Sequence, residues 1–166
     1  ADACLMVITR AAAVTGAGEL AAWSSKLKLV VAEGPGGAGA TLAFLRKADP
    51  DGYGKGTPAI VVASGEEAVR RALASDDAAA LLVEAPDALS PRLTLARELG
   101  GRIVPVLDRG MLGREIAGER IYVSRDVEVS AGSWSTAPVR ITTMCSPIAV
   151  YTGALDRIAP GPARQE

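Results

Sequence analysis

The stretch "TPAIVVASGEEAVRRALASDDAAALLVEAP" (57–86) decides the fold class. "PAIVVAS" (58–64) is β-branched and continuous, as in a strand covered on both faces. Ser64 follows as a helix cap, and Glu67 three residues on completes an S-x-x-E capping box. Glu66 with Arg70, and Glu67 with Arg71, stand four apart in the favourable order and read as a solvated helix face. Val69, Ala72 and Leu73 form the opposite, packing face, and "AAALLVEA" (78–85) is the next strand. Strand, helix and strand joined by short links make a crossover unit of a parallel sheet.

The same pattern extends in both directions. Upstream, "CLMVIT" (4–9) and "LKLVVAE" (27–33) are apolar strands. Between them, Leu20, Trp23 and Leu27 of "ELAAWSSKL" fall at helical spacing. "TLAFLRKA" (41–48) has helical composition, and "DPDGYGKG" (49–56) is a surface loop crowded with turn formers. Downstream, "SPRLTLARELGG" (90–101) is a helix with Ser90 as cap, Pro91 in the first turn and a Gly pair at its end. "RIVPVLD" (102–108) follows as a strand, and Pro105 places it at a sheet edge.

After residue 108 the pattern changes to alternation. In "ERIYVSRDVEVSAGSW" (119–134), Ile121, Val123, Val127 and Val129 share one face, and "APVRITTM" and "PIAVYTG" continue in that style. The expected fold is therefore α/β: a doubly wound, mostly parallel sheet of about five strands over 1–108. A β-rich extension over 109–160 and a frayed tail over 161–166 complete it.

Composition narrows the function classes. At 166 residues the chain can bury one ordinary core, and 22 % charged residues fit a globular chain. Eighteen basic against nineteen acidic residues leave a net charge of −1, with no basic excess for nucleic acid. Aromatic residues are 4 %, too few for a base-stacking platform. With no histidine and no CxxC, zinc sites of the usual kinds and histidine triads are excluded. No apolar run reaches the ~20 residues of a membrane span. Cys4 and Cys145 read as two buried thiols in a reducing, cytoplasmic setting, with a long-range disulfide as the alternative. The start "ADA" without Met suits the other setting, an exported chain whose leader has been removed.

Ligands of open α/β sheets sit at the carboxyl ends of the strands. That rule directs attention to Thr9 and Arg10, to Glu33–Thr41, to Ser64–Glu67 and to Glu84–Asp87. Gly34, Gly36 and Gly39 form a literal G-x-G-x-x-G, and with Gly37, Thr41 and Ser64 they are the candidate seat for a phosphate, nucleotide or carboxylate. The competing reading is a tight turn that needs glycine for its backbone. Asp49, Asp51, Asp76 and Asp77 lie in loops, where solvated turn roles prevail; neither Ser64 nor Ser146 has a histidine partner, and no spacing points to a Ser–Lys arrangement. No catalytic constellation, cofactor motif or metal-ligand set is visible.

Residues 29–99, in the order "LVVAEGPGGAG", "LAFLRK", "TPAIVVAS", "EEAVRRALAS", "DDAAALLVEAP" and "LTLAREL", resemble the C-terminal part of the receiver domain of two-component response regulators. The resemblance covers under half of the chain. It puts the phosphoacceptor position on or near Glu33, the sensing hydroxyl on Ser64 and the position of the family's lysine on Glu84 or Ala85. The acidic pair of the family's first strand is replaced by Thr9 and Arg10. It implies a pseudo-receiver: a signalling module without phosphoryl chemistry, with Glu33 as a fixed negative charge and a protein partner or homo-oligomer as its output. "VVAEGPGGAGATLAFLRKADPDGY" (30–53) is also similar to periplasmic solute-binding receptors of the tripartite tricarboxylate transport type. That likeness implies a carboxylate on the Gly34–Thr41 loop.

Overall fold

The computed structural model describes residues 3–14, 22–23, 26–34, 37–85, 90–129 and 139–147. Strands β1 (Ala3–Thr9), β2 (Lys28–Ala32), β3 (Ile60–Val62), β4 (Ala78–Glu84) and β5 (Arg102–Pro105) interleave with helices α1 (Ala38–Ala48), α2 (Gly65–Leu73) and α3 (Pro91–Glu98). A single turn α4 (Arg109–Leu112), the small hairpin β6 (Glu115–Ile116) and β7 (Glu119–Arg120), and the long strands β8 (Val123–Val129) and β9 (Val139–Ser146) follow. Gly36, most of the 19–27 helix, most of "PIAVYTG" and the 161–166 tail lie outside the described residues.

The chain is α/β, and its sheet is mixed. Its order is β3-β2-β4-β1-β9-β8, with β5 also paired to β1. Among the described residues, only β2, β3 and β4 are mutually parallel. β1 runs antiparallel to β4, β5 and β9, so the mostly parallel arrangement expected from sequence is replaced by an antiparallel strand in the middle of the sheet. An apolar run buried on both faces looks the same in either direction. Nothing local in "CLMVIT" distinguishes the two.

Both faces are covered, which is why the central strands carry no polar alternation. Leu5 and Val7 of β1, with Leu29 and Val31 of β2, meet Leu42, Phe44 and Leu45 of α1 in one core. Cys4, Met6 and Ile8, with Val30 and Leu82, meet Ala68, Val69 and Ala72 of α2 and Leu93 of α3 in the other. Successive side chains thus alternate between two cores. Pro105 ends β5, whose ladder partner is β1, in keeping with the edge position expected from its missing donor.

The β-rich extension joins the same sheet. β1 pairs with β5 over Met6–Thr9 and with β9 over Ala3–Cys4, so two strands share one edge. Thr143 closes the junction: its hydroxyl donates to Leu5 O at 2.6 Å and accepts from Val106 N at 2.9 Å. Met144 N adds a bond to Val106 O at 2.9 Å. Cys4 and Cys145 stand opposite each other in this register and are joined by a disulfide. The two free thiols expected from their remote positions are therefore one covalent staple across 141 residues of chain. Opposed positions on neighbouring strands bring Cβ atoms within bridging reach, and sequence separation carries no information about that.

Candidate functional site

The parallel strands bring three of the expected positions to one edge. Val30 pairs with Ala80 and Ala32 with Val62, which sets Gly34, Ser64 and Glu84 at the corresponding level of three adjacent strands. Helix α1 leaves β2 toward one core and α3 leaves β4 toward the other. Neighbouring strands whose connections depart to opposite faces open a crevice between their ends. Thr9 and Arg10 do not belong to this edge. Because β1 is antiparallel, Thr9 pairs with Ala79 at the far end of β4. There the Thr9 hydroxyl donates to Ala78 O and accepts from Ala11 N, both at 2.9 Å, and Arg10 reaches Leu73 O. Those two residues lock the strand end opposite the site.

Each described glycine of the loop has a backbone reason. Gly34 has φ +106°, a region that side chains disfavour. A Cβ on Gly39 would stand 2.8 Å from Ala32 O, and one on Gly37 3.2 Å from the same atom, because α1 starts hard against the end of β2. Gly37 N donates to Gly34 O at 3.3 Å. The tight-turn reading therefore accounts for these glycines. It leaves the helix start distinctive nonetheless. Gly37 is the N-cap of α1 and supplies no side-chain acceptor, and Thr41 N donates to Gly37 O at 3.2 Å. The amides of Ala38, Gly39 and Ala40 precede that bond, at the positive end of the helix.

Thr41 is buried and belongs to the α1 core face, not to the loop surface. Glu33 is exposed; its amide continues the ladder to Val62 O at 2.9 Å. Ser64 is occupied as the α2 cap, accepting from Glu67 N at 3.2 Å. The Glu67 carboxylate in turn accepts from Ala63 N, one residue short of the reciprocal bond that the motif describes.

Glu84, one of the strand-end positions that the sequence directed attention to, is paired with Arg92, which sequence reasoning passed over. Glu84 ends β4 with its side chain only 6 % exposed, and Arg92 Nε lies 2.8 Å from its Oε2. Burial raises the Glu84 carboxyl above its ordinary range, against the opposing pull of Arg92 and Ser90. Ser90 caps α3 through Leu93 N. The Arg92 side chain lies over the start of α2, where a Cβ on Gly65 would collide with it. The sequence holds one usable sign of Glu84: a single charge closing an otherwise apolar strand. Arg92 has no comparable sign. Asp76 and Asp77 do sit as solvated turn residues, beside Arg10 and Lys28, and Asp77 is held below the usual carboxylate range by Ser75 and then by Lys28.

A second polar group lies beside α1 at the α4 turn. Asp108 caps α4 through Gly110 N, and Tyr53 is fully buried beside it. Burial first, then Asp108, pushes the Tyr53 phenol far above its ordinary value. Asp49, read from sequence as a solvated turn residue, is instead largely buried, at 16 % side-chain exposure, and holds Arg114.

Among the described residues no group of three or more His, Cys, Asp or Glu is placed to hold a metal ion, and no helix is long and apolar enough to cross a membrane. No protein-family model, curated protein or solved structure matches this chain. The receiver and solute-receptor resemblances therefore rest on the quoted motifs alone.

Proposed function

We propose that this chain is a non-catalytic regulatory module that binds a small anion, a phosphate or a carboxylate, at the ends of β2, β3 and β4. The observation that carries this reading is the N-terminus of α1, capped by a glycine without a side chain and set in the crevice between β2 and β4. Arg92 supports it: it bridges α3 to the start of α2, and the strand lying between β3 and β4 in the sheet is β2. Backbone amides and a guanidinium recognise an anion without proton transfer. Binding there ties α1 to the opposite helical layer, which gives the ligand a differential hold on the arrangement of the layers. The disulfide supports an oxidising compartment and hence the exported setting.

The test is thermal unfolding with inorganic phosphate and with citrate, against sodium chloride at equal ionic strength. The expected result is a saturable rise in Tm that is lost in Arg92→Gln. No rise beyond the salt control, or a rise that Arg92→Gln leaves intact, overturns the reading. A protein-contact role has one observation of its own: Val61, on the edge strand β3, is 58 % exposed. An added strand from a partner would cover it. Light scattering of wild type and Val61→Lys across concentration tests that role for a second copy of the chain.

A further inference from the structure

The second polar group borders a cavity. Between the C-terminal half of α1 and the β6–β7 hairpin lies a cavity of about 250 Å³, with Phe44, Ile116 and Ile121 as its apolar wall and Lys47, Arg114 and Glu115 as its polar one. Ligand pockets for larger molecules run from roughly 300 to 1,000 Å³, so this one is sized for something smaller. We propose that it binds a small monocarboxylate with a short aliphatic chain, anchored by Arg114.

The anchor is already oriented. Arg114 Nε donates to Gly110 O at 3.2 Å, and Nη2 lies 3.4 Å from Asp49 Oδ1. Asp49 is itself fixed, accepting from Gly52 N at 3.3 Å. The backbone of Arg114 is pinned on both sides, its N–H to Met111 O and its carbonyl to Ile121 N. A guanidinium has five N–H donors in a rigid fork, and these contacts leave the rest of the fork for a second carboxylate. The side chain stays 42 % exposed, so the fork is reachable. The loss of side-chain entropy that weakens surface arginine contacts has been met in advance by the protein's own bonds.

Charge and shape select the ligand. Two cations and one anion face the cavity, a lining charge of +1, and Asp49 behind Arg114 reduces the positive field further. One negative charge is matched; a dianion is not. Phe44, Ile116 and Ile121 then favour an aliphatic tail over a hydrated inorganic ion. The site lies on α1 and the β6–β7 hairpin, away from the strand ends at Gly34, Ser64 and Glu84, and does not depend on the reading made for that edge.

Calorimetric titration of the full chain with hexanoate tests the proposal, with hexanol and inorganic phosphate as controls. Saturable hexanoate binding is expected, at least tenfold stronger than hexanol, with phosphate inert toward this cavity. Arg114→Gln is expected to weaken hexanoate at least tenfold. Because that change frees half-buried Asp49, Lys47→Ala on the exposed wall and Ala48→Phe, which fills the cavity, provide independent checks. Lys47→Ala should weaken binding severalfold and Ala48→Phe should abolish it, whereas Arg92→Gln should leave it unchanged. No saturable hexanoate binding, equal binding of hexanol, or wild-type affinity in Ala48→Phe each overturns the proposal.

Discussion

Glu84 shows how one buried charge is tolerated. Its side chain is almost out of water, and the Arg92 contact does not fully offset the loss of hydration. Its folded pKa therefore lies above the unfolded value. The proton-linked stabilisation is fully present below the ordinary glutamate range and is lost as pH rises through the raised folded value. Glu84→Gln removes that dependence and leaves Arg92 partly hydrated. Relative to Glu84→Gln, wild type should lose stability as pH rises from 4.5 through the raised folded value, and above that value the variant should be no less stable than wild type. Urea midpoints of both proteins at several pH values check this; parallel curves for the two would refute it. Serine caps at 64 and 90 were legible from sequence because a cap is a local hydrogen bond. The burial of Glu84, and of Asp49, was not, since it depends on which helix arrives overhead.

At the scale of elements, the positions of β1 to β5 and of the three main helices follow from hydrophobic period and punctuation. The direction of β1 does not, and that alone moves Thr9 and Arg10 to the far edge. Thr143 is the element-scale device with the clearest consequence. It lies where β5 gives way to β9 along β1, and a β-branched residue in an alternating strand looks like any other. Thr143→Val keeps the shape and strands Leu5 O and Val106 N, both inside the fold. Each buried group left without a partner costs about 1–3 kcal/mol. The expected outcome is a lower urea midpoint with an unchanged m-value, together with faster amide exchange at Val106. An unchanged midpoint would mean that water or relaxed backbone replaces the hydroxyl.

For the whole molecule, the disulfide decides how the C-terminal arm is held. Among the described residues β9 meets β1 over two register pairs, Ala3 with Ser146 and Cys4 with Cys145. A crosslink spanning most of the chain restricts the unfolded ensemble strongly, and native disulfides contribute on the order of 2–5 kcal/mol. Reduction, or Cys4→Ser with Cys145→Ser, should lower the unfolding free energy by about that amount. The loss of exchange protection should be concentrated in β8 and β9, with β2 and β4 least affected. Equal loss in all strands would show that the bridge is a global constraint and not a fastening of the arm.

By itself, the sequence determined which segments are strands and helices, their two-sided burial and the helix starts, because each depends on neighbours within a few residues. Tertiary structure alone decided the direction of β1, the pairing of Cys4 with Cys145, the burial of Glu84 and Asp49, and the company of Arg92 and Arg114. The physical reason is range: periodicity and capping are short-range, whereas strand direction, dielectric and side-chain partnership are set by residues remote in the chain.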